Sequence, residues 1–360
     1  MLTIRDIRAR PVVVPFKRPP VSASGALSHA ALVLVDLETE GVTGRAYVFG
    51  FAPWALKPIV GCLAAMRDML VGDPLAPFDI EAKLRRSLTL LDTPGLVGLA
   101  LAGVDMCAWD ALAQAAGVPL VVLLGGTVGP VRAYNSCGLW IQPVDRLADE
   151  AEALIGEGNF GAVKLRLGRD DAAADLAAAR AVRKRVGDGI TVMCDFNQRL
   201  TVNEAIARGR MLDDEGLAWI EEPVRHDDYA GCARIAADLR TPLQTGENLT
   251  DTFELIKALE ARAMDYLMPD VQRIGGVTGW QRAAAIAHAH GMEMSSHLFP
   301  EYSAHLLGVT PTRHWLEYVD WAAPVLAEPI EIRDGHALIP DRPGSGITWD
   351  EAAVKRYAVA

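Results

Sequence analysis

Val192-Met193-Cys194-Asp195-Phe196-Asn197-Gln198 is a short apolar run that ends abruptly in a carboxylate. Ala218-Trp219-Ile220-Glu221-Glu222-Pro223 and Leu243-Gln244-Thr245-Gly246-Glu247-Asn248 end the same way. Their acids fall at 195, 221 and 247, with a gap of 26 residues each time. A strand, a loop, a helix and a return loop fill about that length in a (β/α)8 barrel, where ~250 residues make eight units. Three carboxylates on consecutive parallel strand ends converge at one side of the barrel mouth. They repel one another unless a cation sits between them. With only oxygen to offer, they favour Mg²⁺, or Mn²⁺, over Zn²⁺. Each acid could instead cap the helix after its strand; equal spacing of all three argues for a shared site.

Outward from this stretch, alternating strands and helices fill the chain from about 131. The candidate strands are 132–137, 162–167, 191–195, 218–222, 243–247, 265–268, 293–296 and 315–319. Thr201-Val202-Asn203-Glu204 and Asp251-Thr252-Phe253-Glu254 read as capping boxes at helix starts. Before the barrel, 2–14, 31–38 and 42–48 read as an antiparallel sheet with a turn at Thr39-Glu40-Gly41, and helical patterns cover 53–72, 79–91 and 94–116. Pro19, Pro20, Ser22, Ser24 and Gly25 mark 17–29 as a loop. The expected domains are an α+β capping domain over 1–128, a barrel over 129–324, and a segment over 325–360 that packs back on the cap.

Composition narrows the partners. With 46 acidic against 35 basic residues, the net charge of −11 disfavours nucleic acid and anionic membrane. The apolar run from Gly95 stops at Asp105, too short to cross a bilayer, and the charged first residues do not resemble a signal peptide. Five cysteines without close pairing read as buried thiols in a reducing compartment. A cytoplasmic protein is expected, and a small anionic substrate is not excluded.

Further residues carry chemistry. Lys164 and Arg166 lie two apart on the second strand and share a face, while Val163, Leu165 and Leu167 take the other. Cations inside a barrel need anions, which the metal carboxylates and a substrate carboxylate supply. His297 ends the seventh strand and Asp270 the sixth, so the carboxylate is placed to orient the imidazole and raise its basicity. Glu317, on the eighth strand among apolar residues, is expected to have a raised pKa and to donate a hydrogen bond as a neutral acid.

Together these motifs resemble the enolase superfamily, and most closely its mandelate racemase subgroup. The resemblance spans nearly the whole chain. It includes Met268-Pro269-Asp270 with Ile274-Gly275-Gly276-Val277-Thr278-Gly279-Trp280, and Met294-Ser295-Ser296-His297-Leu298-Phe299 with Ser303-Ala304-His305-Leu306-Leu307. It implies a (β/α)7β modified TIM barrel under an α+β cap. It implies Mg²⁺ on Asp195, Glu221 and Glu247, Lys164 and Glu317 on the substrate carboxylate, and His297–Asp270 as one of two bases facing the α-carbon. It also implies a homo-oligomer, often an octamer, and a flap at 17–29. Ser24, Leu27 and Phe51 near that flap, and Asn197 beside Asp195, are the further substrate contacts expected. Leu27, Phe51 and Trp54 suit an apolar substrate, whereas Ser22 and Ser24 leave room for hydroxyls.

One position departs from the subgroup, which has Lys-x-Lys where this chain has Lys164-Leu165-Arg166. Arginine is a poor proton acceptor, its intrinsic pKa lying above ~12. The chemistry implied is abstraction of the proton α to a carboxylate, giving an enediolate. Racemisation of a 2-hydroxy acid is the first reading. Dehydration of a sugar-derived acid needs one competent base and is the alternative. A catalytically dead metal-binding relative is the third.

Overall fold

The computed structural model describes residues 2–91 and 93–359. The N-terminal unit is a three-stranded antiparallel sheet, β1 (Asp6–Pro15), β4 (His29–Glu38) and β5 (Thr43–Phe49), in the order β1-β4-β5. Between β1 and β4 the segment read as a loop contains a small hairpin, β2 (Val21–Ser22) with β3 (Gly25–Ala26). Gly25 at φ +141° makes that tight reversal available. Helices α1 (Pro53–Leu70), α2 (Pro77–Ser87) and α3 (Leu96–Ala116) follow the sheet, then a short α4 (Leu120–Leu123). The apolar run at Gly95 proves longer than its first acid suggested. It continues through buried Asp105 and Asp110 to a left-handed Gly117. By length and composition α3 alone among the described residues could cross a membrane, and 78% of its apolar window is buried inside the protein.

The barrel strands are β6 (Pro130–Asn135), β7 (Ala162–Arg166), β8 (Thr191–Asp195), β9 (Leu217–Glu221), β10 (Leu243–Thr245), β11 (Tyr266–Leu267) and β12 (Leu316–Tyr318). They are parallel from β6 to β11, and β12 returns to pair with β6. The seventh strand expected at 293–296 is reduced to single bridges, Met294 reaching both Leu267 and Arg313. The backbone there alternates between its two flanks, Ser295 N–H donating to Leu267 O and Ser296 N–H to Trp315 O. The wall therefore stays closed without a regular ladder. β10 is also shorter than expected, because Gly246 at φ +126° turns the chain before Glu247; a Cβ there would stand 2.9 Å from Leu267 Cδ1.

Helices α5 (Val144–Gly156), α6 (Ala172–Val186), α7 (Val202–Leu212), α8 (Tyr229–Asp238), α9 (Thr252–Glu260), α10 (Gly276–Ala289) and α11 (Pro300–Gly308) alternate with the strands. Thr201 and Glu204 form the expected reciprocal box. At α9 the first half is as expected, Asp251 accepting from Glu254 N, but Glu254 turns instead to Thr250 N and Oγ1. Helix starts are thus capped by Asp171, Thr201, Asp228 and Asp251. None of these α-helices takes its side-chain cap from Asp195, Glu221 or Glu247.

Cap and barrel are joined through α3 and α10. Asp105 accepts from Thr278 N at 3.0 Å and from Thr278 Oγ1 at 2.5 Å. Gly276, at φ +75°, permits the approach, since a Cβ would meet Asp105 Oδ2 at 2.3 Å. Residues after the barrel form β13 (Glu331–Arg333) and β14 (His336–Leu338), the latter antiparallel to β6, then α12 (Glu351–Tyr357) beside β1. Buried His305 ties this stretch down, accepting from Val121 N at Nδ1 and donating from Nε2 to Ser345 O. Burial pulls its pKa down to about 4, so the ring is neutral. Four of the five cysteines are buried, and none is in a disulfide.

Candidate active site

The β7–β8–β9 register sets the floor of the site. Arg166 pairs with Asp195 and Asp195 with Glu221, so the three stand level on adjacent strands. Glu221 is level with Gln244, which leaves Glu247 three residues further on, beyond the Gly246 turn. One oxygen from each of Asp195, Glu221 and Glu247 lies within 4.8 Å of the others. Equal sequence spacing thus ends in convergence by two routes, two acids on strands and one on a turn.

Lys164 and Arg166 both point inward, with 1% and 4% of their surface exposed. Lys164 Nζ is 2.5 Å from Glu221 Oε1, 2.8 Å from Glu317 Oε1 and 3.6 Å from Asp195 Oδ2. Burial alone would lower the pKa of Lys164, but Glu221 and Glu317 overcome it and raise it. For Glu221, burial and then the crowding of Asp195, Glu317 and Glu247 outweigh Lys164 and push it up to about 8. Such a carboxylate calls for more positive charge than one ammonium supplies.

Glu317 departs from its expected state. Burial raises its pKa, but Lys164, His297 and Arg166 together hold it well below the usual carboxylate range. It accepts hydrogen bonds from Lys164, from Ser136 Oγ at 2.7 Å and from Leu298 N at 3.0 Å. The apolar neighbours visible in sequence lie along the strand, whereas the cations come from other strands. Glu317 is therefore an ionised acceptor here, not a neutral donor.

His297 Nδ1 lies 2.7 Å from Asp270 Oδ2, and its Nε2 is 3.5 Å from Glu247 Oε2 and 4.0 Å from Glu317 Oε2. Burial disfavours the imidazolium, but Glu247 first and Asp270 second more than restore it, raising the pKa to about 9. Asp270 is fixed in turn, its Oδ1 accepting from Gln272 N and Arg273 N.

These groups line a cavity of about 340 Å³ between barrel and cap. Of the residues singled out in sequence, Ser24, Leu27, Phe51, Lys164, Arg166, Asp195, Asn197, Glu247, His297 and Glu317 reach it, as does Ser22. Asp270 and Glu221 stand behind it. Trp54 does not contribute; it is 75% exposed at the start of α1. Ser24 Oγ donates to Asn197 O, which brings the 17–29 hairpin onto the barrel rim. Four non-glycine residues on the lining, Phe51, Asn197, Gln198 and Leu298, have left-handed backbone, a strain costing ~1–3 kcal/mol each that concentrates at functional sites.

Several lining residues carried no sequence signal. Trp140 stacks on the Arg166 guanidinium at 4.2 Å and lies 6.4 Å from Trp321. Trp321 leans on Phe49, 5.3 Å away, which meets Phe51 at 4.4 Å. This aromatic wall joins three separate segments, the end of β5 and the loops holding Trp140 and Trp321, so no local pattern reveals it. Ser136, which bonds both Arg166 and Glu317, directly follows β6, and the strand-end rule applied to the acids would have found it.

Comparison with known proteins agrees with this architecture. Residues 4–125 match the mandelate racemase/muconate lactonizing enzyme N-terminal domain, and 146–353 match the enolase C-terminal domain-like family. An enolase from alpha proteobacterium bal199, solved with bound magnesium, is 49% identical with a TM-score of 0.98, covering 100% of both chains. A Bradyrhizobium enolase complexed with magnesium and mandelic acid is 40% identical, TM-score 0.96, covering 100% of this chain and 99% of the other. L-talarate/galactarate dehydratase of Salmonella typhimurium is 34% identical over 330 residues, 91% of this chain and 82% of the dehydratase. A capping domain over an α/β barrel, with both family matches and this degree of identity, identifies the chain as a member of the mandelate racemase/muconate lactonizing enzyme family within the enolase superfamily.

Proposed function

We propose that this protein removes the proton α to the carboxylate of a small 2-hydroxy acid and returns a proton to the opposite face, acting as a racemase. The observation that carries the reading is the disposition of groups about Glu317. Lys164 and Arg166 stand at its Oε1, at 2.8 and 3.9 Å, while His297 and Leu298 N stand at its Oε2. Lys164 and Arg166 on one side and His297 on the other thus flank one point, and in a racemase Arg166 or Lys164 serves the face opposite His297. The aromatic wall of Phe51, Trp140 and Trp321 suits an apolar substituent, and the mandelic acid in the Bradyrhizobium relative supports that choice.

Asp195, Glu221 and Glu247 fit a divalent cation. Their donor set is all oxygen, their oxygens converge, and Lys164 already stands against two of them as a partial substitute for positive charge. They would hold Mg²⁺, with Mn²⁺ as substitute, and the ion would supply charge neutralisation for an enediolate. The magnesium in both solved relatives supports this. In this reading Lys164 binds the substrate carboxylate. His297 takes the proton on its face at Nε2, with Asp270 holding Nδ1–H so that Nε2 is the free acceptor. Glu317 and Ser136 hold Lys164 and Arg166 in place. Asn197 and the hairpin residues Ser24 and Leu27, with Phe51, close the cavity against water.

Arg166 favours a second reading. Its face lacks a side chain with ordinary basicity, and Ser22, Ser24, Gln198 and Arg273 give the cavity a polar end. Dehydration of an acid sugar, in which His297 serves as the one base, uses those features, and the 34% identical dehydratase supports it. One experiment separates the two. Each enantiomer of a set of hydroxy acids is followed by NMR in D₂O, with 2-keto acid release measured in parallel. Exchange from both enantiomers without keto acid supports the racemase; keto acid as the dominant product replaces it with the dehydratase.

A further inference from the structure

We infer that Gln272 is a positioning residue that docks the capping sheet onto the loop carrying Asp270 and thereby fixes the Phe51 side of the cavity. β5 is the edge strand of the cap sheet, and at its last residue, Phe49, both backbone polar groups face away from β4. A buried strand edge needs partners. Gln272, itself fully buried, supplies both: Phe49 N–H donates to Gln272 Oε1 at 2.9 Å, and Gln272 Nε2 donates to Phe49 O at 3.3 Å. One side-chain amide thus stands in for a neighbouring strand.

The same residue is bound to the proton-transfer pair. Its backbone N–H donates to Asp270 Oδ1 at 2.8 Å, and Asp270 Oδ2 holds His297. On the cap side, Phe51 follows Phe49 by two residues, with left-handed backbone at φ 60°, and its ring rests between Phe49 and the guanidinium of Arg273, 4.8 Å away. A shift of the Phe49 backbone therefore moves Phe51 relative to His297. No substrate atom needs to touch Gln272 for it to set which substituents fit. An apolar side chain of the same length would fill the space but leave both Phe49 groups without partners.

The kinetic part rests on the α-proton reading above; the docking part does not. Gln272→Met is compared with wild type by residue-resolved amide hydrogen exchange. Phe49 should exchange at least about tenfold faster, while Gly50, whose N–H donates to Ala31 O inside the sheet, stays protected. Unchanged protection at Phe49 overturns the docking role, as does fast exchange at Phe49 in wild type, a check that needs no variant to fold. In α-proton exchange, KM for mandelate should rise about tenfold and KM for lactate less than about twofold, with kcat for both nearly held. An equal change for the two acids overturns the positioning of Phe51. If wild type exchanges no α-proton from any hydroxy acid, the functional reading fails, and Phe49 exchange alone still decides the docking.

Discussion

The two walls of the cavity are built on different principles. The barrel wall carries Lys164, Asp195, Glu221, Asp270 and Glu317, all buried to within a few per cent and each held by two or more polar partners. The opposite wall, from the 17–29 segment and Phe51 with the barrel-loop residues Trp140 and Trp321 beside them, is largely apolar, and its hairpin residues Val21–Ala26 are half-buried or exposed. Buried charges are costly to leave unpaired, so the first wall tolerates almost no change. Apolar contacts are non-directional and allow repacking. In the proposed reading the barrel wall carries the reaction and the opposite wall the choice of substrate.

Removing the cation breaks the barrel wall most completely. EDTA should abolish α-proton exchange and Mg²⁺ should restore it; full activity in metal-free protein would sink the assignment of Asp195, Glu221 and Glu247. Next in size, His297→Asn should lower exchange by ~10²–10⁴-fold for the enantiomer whose proton faces His297, because the base on that side is gone. Equal exchange from both enantiomers would take His297 out of the mechanism.

Arg166→Lys sharpens the comparison from within the barrel. In a racemase a lysine beside Lys164 gains basicity suited to neutral pH, and exchange on the second face should rise by about tenfold or more. In a dehydratase the lost guanidinium fork should instead lower kcat/KM. Exchange rates for each enantiomer distinguish the two.

On the cap wall the expected effects are smaller. Phe51→Ala should change the mandelate-to-lactate preference by roughly tenfold, a typical worth for apolar substituents in a pocket, with little loss of rate on lactate. A collapse of both rates would mean that Phe51 belongs with the barrel chemistry. The smallest effect is a titration. His297 is raised to about 9, so without Mg²⁺ it is protonated, and unable to accept a proton, until pH rises through about 9. A bound cation offsets Glu247, the largest contributor to that rise, so Mg²⁺ should move the midpoint downward, read from the imidazole protons by NMR. A midpoint indifferent to Mg²⁺ would detach His297 from the metal site.

The barrel wall was legible in the sequence because its residues occupy strands or closely follow them, and the strands are marked by short apolar runs. The carboxylate spacing, the Lys164–Arg166 face and the His297–Asp270 pairing all follow from that rule. The opposite wall was legible only in its cap residues, Ser24, Leu27 and Phe51. Trp140 and Trp321 lie in loops without periodicity, and their meeting with Phe49 and Phe51 depends on how cap and barrel dock. Glu317 shows a further limit of local reading. Its strand neighbours are apolar, yet its protonation is set by Lys164, His297 and Arg166, the first and last of them about 150 residues earlier in the chain. Trp54 shows the converse, an aromatic at the right place in sequence whose helix turns it to solvent.

The closure of β12 onto β6 has a consequence for how the protein is made. Leu316 pairs with Ala133, so the first barrel strand waits 183 residues for its partner on one side. At ~5–20 residues per second on the ribosome, that is roughly 10–40 s during which β6 presents an open edge. Open edges invite pairing with other chains, and proline or charge at the edge discourages it. β6 carries both, Pro130 and Arg132, at the end where β14 later docks. The nascent chain is thus guarded at the strand it must hold in reserve longest.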